Sequence, residues 1–377
     1  MTMDKRAGLK KAKRIVVKVG TSTITHATGK LNLHRMEELV RELADLANQG
    51  REIILVTSGA VAAGMDRMDL KKKPRTMPEK QALAAIGQGM LMHIYETLFA
   101  EYGQTAAQVL LTKENSVRHN QYTNSRNALL ALFKMGAVPV INENDAIAVE
   151  ELKIGDNDTL SATVATLVDA DLLIILSDVE GLYTANPQKD AEAVLLEEID
   201  EITPAVEKMA GGAGSQMGTG GMYTKMQAAK IAVNSGVTMV IASGGRRGVL
   251  REVLDGKPIG TLFAAKDEHL KARKGWLAFG RRIDGDIIVD AGCARAMLRG
   301  GSSLLAAGIT AVEGDFVAGN TVRVLDPEQR EIARGIVNYT TTDLRRIMGH
   351  QTNELPALLS GKIYDEVIHR DNMVLMV

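Results

Sequence analysis

An α/β fold, with a mostly parallel sheet sandwiched by helices and a small β-rich C-terminal module behind it, is what this sequence predicts. Three observations carry that expectation. Short β-branched runs alternate with longer amphipathic segments over the first 265 or so residues. Those runs are apolar almost throughout rather than at every second position, as strands buried on both faces should be. Past residue 265 the pattern gives way to a charged connector and to short strand-like pieces separated by glycine turns.

In chain order the strands are RIVVKVG (14–20), EIILVT (52–57), TAAQVLL (105–111), AVPVIN (137–142), DLLIILS (171–177) and TMVIA (238–242). The clearest helix between them spans 33–49, with Leu33, Met36, Leu39, Val40, Leu43, Leu46 and Ala47 on one face. Asn32 is its expected N-cap and Gly50 its C′ residue. Strand, helix and strand in repetition call for a parallel sheet with helices on both faces. Ligands of such sheets sit beyond the carboxyl ends of the strands. Later in the chain, AAKDEHLKARKGWLAFGRR reads as a connector, and GDIIVD, FVAGNTVRVLD and EIARGIVNYT as short strands. The expected division is therefore a first domain over 1–265, a linker over 266–282, a β-rich domain over 283–361 and a tail over 362–377.

Composition narrows the function classes. The chain has 377 residues, 45% apolar and 24% charged, with a formal net charge of −1. That length favours two domains over one core, and that charge gives no global attraction to nucleic acid or to membranes. The single cysteine, Cys293, excludes an internal disulfide framework and fits a reducing compartment. The start, MTMDKRAGLKKAKR, is basic without an apolar core, so it reads as a solvated, frayed arm rather than a secretory leader. No apolar run reaches the roughly 18 residues of a membrane span. A cytoplasmic protein is the expectation.

Four stretches carry chemistry. Lys18 lies in an apolar run just before a Gly-Thr-Ser turn, where a strand lysine is either a snorkelling edge residue or a charge aimed at a ligand. In VTSGAVAAG, Ser58 and Gly59 open a helix whose small residues let backbone amides approach an anion, or they make a plain turn. The stretch IGDND (154–158) sets two aspartates and an asparagine ahead of a helical run, DTLSATVATLVDA. Capping and the helix dipole account for one such side chain, not three. The loop GGAGSQMGTGGMYTK (211–225) leads into a helix beginning near Thr224, with Lys225 in the first turn. Glycines, free amides and a cation form a phosphate cradle, the alternative being a flexible linker. No Walker loop, dinucleotide fingerprint or zinc motif is present, and the seven histidines are scattered.

Taken in this order, VVKVGTS, VTSGAVAAG, PVINENDA, IGDND and GTGGMYTK resemble the glutamate 5-kinases of the amino-acid kinase family, and the tail resembles a PUA domain. The likeness runs from about Arg14 to about Gly361, and INEND with GDND is its most specific part. It implies ATP-dependent phosphorylation of the glutamate side-chain carboxylate, the first step of proline synthesis. By the same resemblance Lys18 and Lys225 are the phosphate-binding lysines and Asp158 the aspartate that holds them, while Ser58, Asp145 and Asn157 match glutamate-binding positions. Asp156 is either functional or a helix cap, and Asn142 and Asn144 either flank the substrate or only turn the chain. Ser177-Asp178 matches a nucleotide-binding position where Thr-Asp is common, the serine keeping the hydroxyl. Thr219, Gly220, Gly221, Met222, Tyr223, Thr224 and Lys225 match the second nucleotide-binding stretch. Mg²⁺ is implied with ATP, with no dedicated protein cage for it visible. The resemblance also implies feedback inhibition by proline and a homo-oligomer. RNA binding through the PUA-like part is expected to be weak. Between Ile283 and Gly361 stand seven arginines, no lysine and ten acidic residues, with only Phe316 and Tyr339 for stacking. Rival readings are another acid kinase of the same fold, acting on acetylglutamate, aspartate or uridylate, or an RNA-binding regulator acting through the tail.

Overall fold

The structure, a computed structural model, describes residues 5–112, 119–147, 157–187, 190, 192–210, 221–265, 283–299, 302–359 and 364–376. It divides into two compact units, Met1–His269 and Leu270–Val377.

In the first unit the strands are β1 (Arg14–Val19), β2 (Glu52–Val56), β3 (Thr105–Leu111), β4 (Ala137–Glu143), β5 (Leu172–Ser177), β6 (Glu198–Ile199), β7 (Thr238–Ser243) and β8 (Thr261–Phe263). They form one sheet in the order β3-β4-β2-β1-β5-β7-β8-β6. All neighbouring pairs are parallel except β7 with β8. The helices are α1 (Thr21–Ile24), α2 (Leu33–Asn48), α3 (Ala60–Arg67), α4 (Met77–Glu101), α5 (His119–Lys134), α6 (Asn157–Leu167), α7 (Pro204–Met209), α8 (Met222–Asn234) and α9 (Val249–Leu254). The six strands and the helix at 33–48 fall where the apolar runs put them. Asn32 caps α2 by accepting from the Arg35 amide, and Gly50 follows the helix with a φ of 83°.

Strand alternation assigns each side chain to one of two cores. Ile15, Val17 and Val19 pack with Met36 and Leu43 of α2 and with Leu91, Tyr95 and Phe99 of α4. Val16, Ile54 and Ile175 pack on the other face with Leu160 and Val164 of α6 and with Met226 and Ala229 of α8. Lys18 shares the face of Val16, so its side chain rises toward α6 and α8. Two glycines bring α3 and α4 into place. Gly59, at φ 96°, turns the chain from β2 into α3. Gly87 lets α4 press on α3, since a Cβ there would lie 1.8 Å from the Ala60 carbonyl oxygen.

Two expectations need correction. The basic N-terminal arm is not frayed from Lys5 onward: Arg6 is only 6% exposed. Its guanidinium donates to the carbonyls of Lys257, Ile259, Glu197 and Gly260, and Leu9 is buried. The carbonyls of the loop between α9 and β8, and the one just before β6, share a multivalent donor, which a single arginine supplies. The last residues are also no separate tail, because β13 (Met373–Leu375) pairs with β12 of the second unit. That unit holds β9 (Gly285–Val289), β10 (Ile309–Gly314), β11 (Thr321–Leu325) and β12 (Glu331–Ile336), ordered β10-β9-β11-β12-β13. Phe316 and Tyr339 are buried in its core, and Tyr339 packs edge-on against Tyr364 at 5.8 Å.

Among the described residues no helix is long and apolar enough to cross a membrane.

Candidate active site

The carboxyl ends of β1, β2, β4 and β5 open into a cleft of about 830 Å³. Its walls bring together Lys18, Ser58, Asp145, Asn157, Ser177, Asp178 and Lys225, seven residues drawn from six separate segments of the sequence. Beneath the lysines, fully buried, lies Asp158.

These three charges form the floor. The Lys18 ammonium stands 2.5 Å from Asp158 Oδ1 and the Lys225 ammonium 3.2 Å from Oδ2. Thr224 donates its hydroxyl to the same Oδ2 at 2.8 Å. Each partner arrives by a simple local rule. Lys18 follows the Val16 face of β1; Asp158 sits in the first turn of α6, where the positive end of the helix dipole favours a carboxylate; Lys225 sits in the first turn of α8, which Gly221 caps. The helix therefore starts at Met222, two residues before the expected position. Burial pushes the Asp158 carboxyl up, but the two ammonium groups and the hydrogen bonds from Lys18 and Thr224 outweigh it and hold it below the usual carboxylate range. A buried ionised carboxylate of this kind holds two lysine side chains aimed at one place.

A second cluster, of neutral groups, lies beside the first. The Asn157 side-chain nitrogen meets the Thr57 carbonyl at 2.6 Å, the Ser58 hydroxyl at 2.8 Å and Asn142 Oδ1 at 3.0 Å. The Asn142 nitrogen in turn donates to Gln88 Oε1 of α4 at 2.8 Å. Below, the Thr57 hydroxyl and the Tyr95 hydroxyl are 2.8 Å apart and both are buried. Asn142 thus belongs to the site, whereas Asn144 lines a smaller neighbouring cavity of about 260 Å³.

At the β5 end, the Ser177 hydroxyl donates to Asp178 Oδ1 at 3.0 Å. The residues of the second expected nucleotide stretch separate by role. Met222 packs against the core, Tyr223 is exposed, and Thr224 and Lys225 turn to Asp158. Gly221 caps the helix, while Thr219, Gly220 and Asp156 lie outside the described residues. Sequence reasoning missed Gln88, Lys73 and Lys80. The two lysines line the cleft, and the signal available was the run KKKPR followed by a capped helix start at Thr76.

Comparisons with known proteins agree with this fold. The model of the amino acid kinase family matches residues 13–243, and that of the PUA domain matches 285–359. A curated relative named glutamate 5-kinase, from Moorella thermoacetica, is 54% identical over 98% of this chain and 98% of its own. Another of that name, from Deinococcus radiodurans, is 47% identical over 96% of this chain and all of its own. Among solved structures, carbamate kinase from Giardia lamblia bound to AMP-PNP aligns with a TM-score of 0.50 at 17% identity. It covers 68% of this chain and 99% of that one, a likeness of fold.

Proposed function

We propose the following function for this chain, which belongs to the amino acid kinase family: it transfers the γ-phosphoryl group of ATP to the side-chain carboxylate of L-glutamate, giving L-glutamyl 5-phosphate. That reaction is the first step of proline synthesis. The observation that carries the reading is the buried Lys18–Asp158–Lys225 triad on the floor of the cleft, in a chain whose full-length relatives bear the name glutamate 5-kinase.

The nucleophile is a carboxylate, already ionised near neutral pH, so no strong base is called for. Rate must come from alignment and from cations that meet the charge on the transferring group. Lys18 and Lys225 supply those cations, held by Asp158 so that little reorganisation is needed as the transition state forms. Ser177, Asp178 and the segment from Thr219 to Lys225 hold the nucleotide. Ser58, Asn157 and Asp145 hold glutamate, the Asp145 carboxylate receiving its α-ammonium.

Mg²⁺ is the ion expected with the nucleotide. Among the described residues no group of three or more His, Cys, Asp or Glu side chains could cage a metal. Asp178 at the cleft wall is the carboxylate that fits an ion already carried by phosphates and water. Such an ion supplies further charge compensation at the phosphates.

The second unit is dispensable for this chemistry and at best a weak RNA binder. Between Ile283 and Gly361 its two candidate stacking rings, Phe316 and Tyr339, are buried, and the arginines are outnumbered by acids. It tunes assembly of a homo-oligomer or the response to proline, which competes with glutamate. Incubation with ATP, glutamate and hydroxylamine tests the reading, since an acyl phosphate is trapped as the hydroxamate. Hydroxamate formation that is glutamate-dependent and lowered competitively by proline is expected. ATP consumption with acetylglutamate, aspartate or uridylate but not glutamate would replace the reading with a rival acid kinase.

A further inference from the structure

The hydrogen bonds beside the lysine triad have a direction, and that direction is set from outside the cleft. The Thr57 carbonyl can only accept, so the Asn157 atom 2.6 Å from it is the nitrogen. The Glu143 amide can only donate, so the Asn142 atom 2.9 Å from it is the oxygen, and that oxygen also receives the Asn157 nitrogen. Asn142, 1% exposed, must then send its own nitrogen the other way, where Gln88 Oε1 accepts at 2.8 Å. With its two amide hydrogens used among the Thr57 carbonyl, the Ser58 hydroxyl and Asn142 Oδ1, Asn157 has its oxygen left for whatever fills the cleft it lines.

We propose that Gln88 is a positioning residue for selection of the substrate's α-ammonium group: by accepting from Asn142 it keeps the Asn157 side-chain oxygen, an acceptor, available to that group beside Asp145. The inference rests on the reading of this cleft as a glutamate site. Without an acceptor at position 88, the buried Asn142 nitrogen loses its partner, and a buried donor without one is costly. Turning the Asn142 amide does not relieve that cost, because its nitrogen would then meet the Glu143 amide and the Asn157 nitrogen, donor to donor. Turning Asn157 is blocked too, since its oxygen would face the Thr57 carbonyl; the Asn142 side chain shifts toward water instead, and the Asn157 oxygen loses its fixed place beside the ammonium ion. Gln88 touches no substrate; through Asn142 it holds in place the amide that does.

The test uses the full-length chain with Gln88→Met, similar in size but without a strong acceptor, and Gln88→Glu, which keeps one. Glutamate is compared with glutarate, which has both carboxylates and no ammonium, used as a competitive inhibitor. Loss of a hydrogen bond to a charged group predicts a KM for glutamate raised roughly ten- to hundredfold in Gln88→Met. The KM for ATP and the Ki of glutarate should stay as in the wild type, and Gln88→Glu should bring glutamate back to near the wild-type value. Equal weakening of glutamate and glutarate in Gln88→Met, or a Gln88→Glu variant as impaired as Gln88→Met, overturns the proposal. A wild-type chain that forms no hydroxamate from glutamate overturns instead the function on which the inference rests.

Discussion

The two sides of the cleft hold their groups by opposite means. On one side three charges are buried together, Lys18, Asp158 and Lys225, each stable only because the others are there. On the other side a relay of neutral amides runs from the Thr57 carbonyl through Asn157 and Asn142 to Gln88. Asn157 and Asp158, adjacent in sequence at the start of α6, serve one side each. The difference teaches where binding energy is used. Concentrated positive charge suits a phosphoryl group whose charge spreads in the transition state, whereas a directed set of acceptors suits recognition of a ground-state ammonium. A charge triad also cannot lose a member without exposing the rest, while an amide relay fails by degrees.

The largest effect is expected on removing the shared carboxylate. Asp158→Asn leaves two ammonium groups buried side by side, and breaking a buried ion pair costs about 3–5 kcal/mol. Chemical denaturation should show that loss together with a severe fall in kcat. A variant of wild-type stability would mean that the triad is not the electrostatic unit described here.

Next in size is the amide side. Asp145→Ala should weaken glutamate binding by about 2–5 kcal/mol, the range for losing one partner of a close charge pair, and leave ATP affinity alone. Calorimetry with each ligand separately reads both numbers. Unaltered glutamate affinity would take Asp145 out of the acceptor side.

Smaller still is the pH response. The folded-state pKa of Asp158 is lowered, so the stability it contributes is fully present above the ordinary carboxylate value of about 4 and is lost as pH falls through the folded value. Thermal melts should therefore show no contribution from this group between about pH 5 and 8, and an acid limb below about pH 4 that Asp158→Asn diminishes. An acid limb unchanged by the substitution would assign it to other carboxylates. The smallest effect is expected from removing the second unit: a chain ending at Ala265 should fold and still phosphorylate glutamate. Folding by circular dichroism without activity would break the division of labour between the units.

How much of this was legible in the sequence depends on where each residue's reason lies. Five of the six long strands were readable because burial on both faces removes the polar alternates; β3, at the sheet edge, has only Leu111 buried and was readable by its apolar run alone. β6 and β8, with two and three residues, are too short to show any period. Lys18, Asp158 and Lys225 could be marked by type and by family resemblance, but their meeting depends on strand parity and on two helix starts, which spacing alone does not reveal. Gln88 was invisible because nothing in the sequence of α4 sets it apart from the other polar residues there, Gln81 among them. Arg6 was misread because a basic terminal run has the composition of a solvated arm, and only the carbonyls gathered around it show otherwise.

The central claim is that the lysine side acts on the transition state and the amide side on the bound substrate. Steady-state kinetics of Lys225→Ala, read by hydroxamate formation over a full range of glutamate concentrations, test it most directly. Loss of one preorganised charge donor should lower kcat by roughly 10²–10³ and leave the KM for glutamate close to that of the wild type. A raised KM with kcat unchanged would contradict the account, placing Lys225 in ground-state binding rather than in phosphoryl transfer.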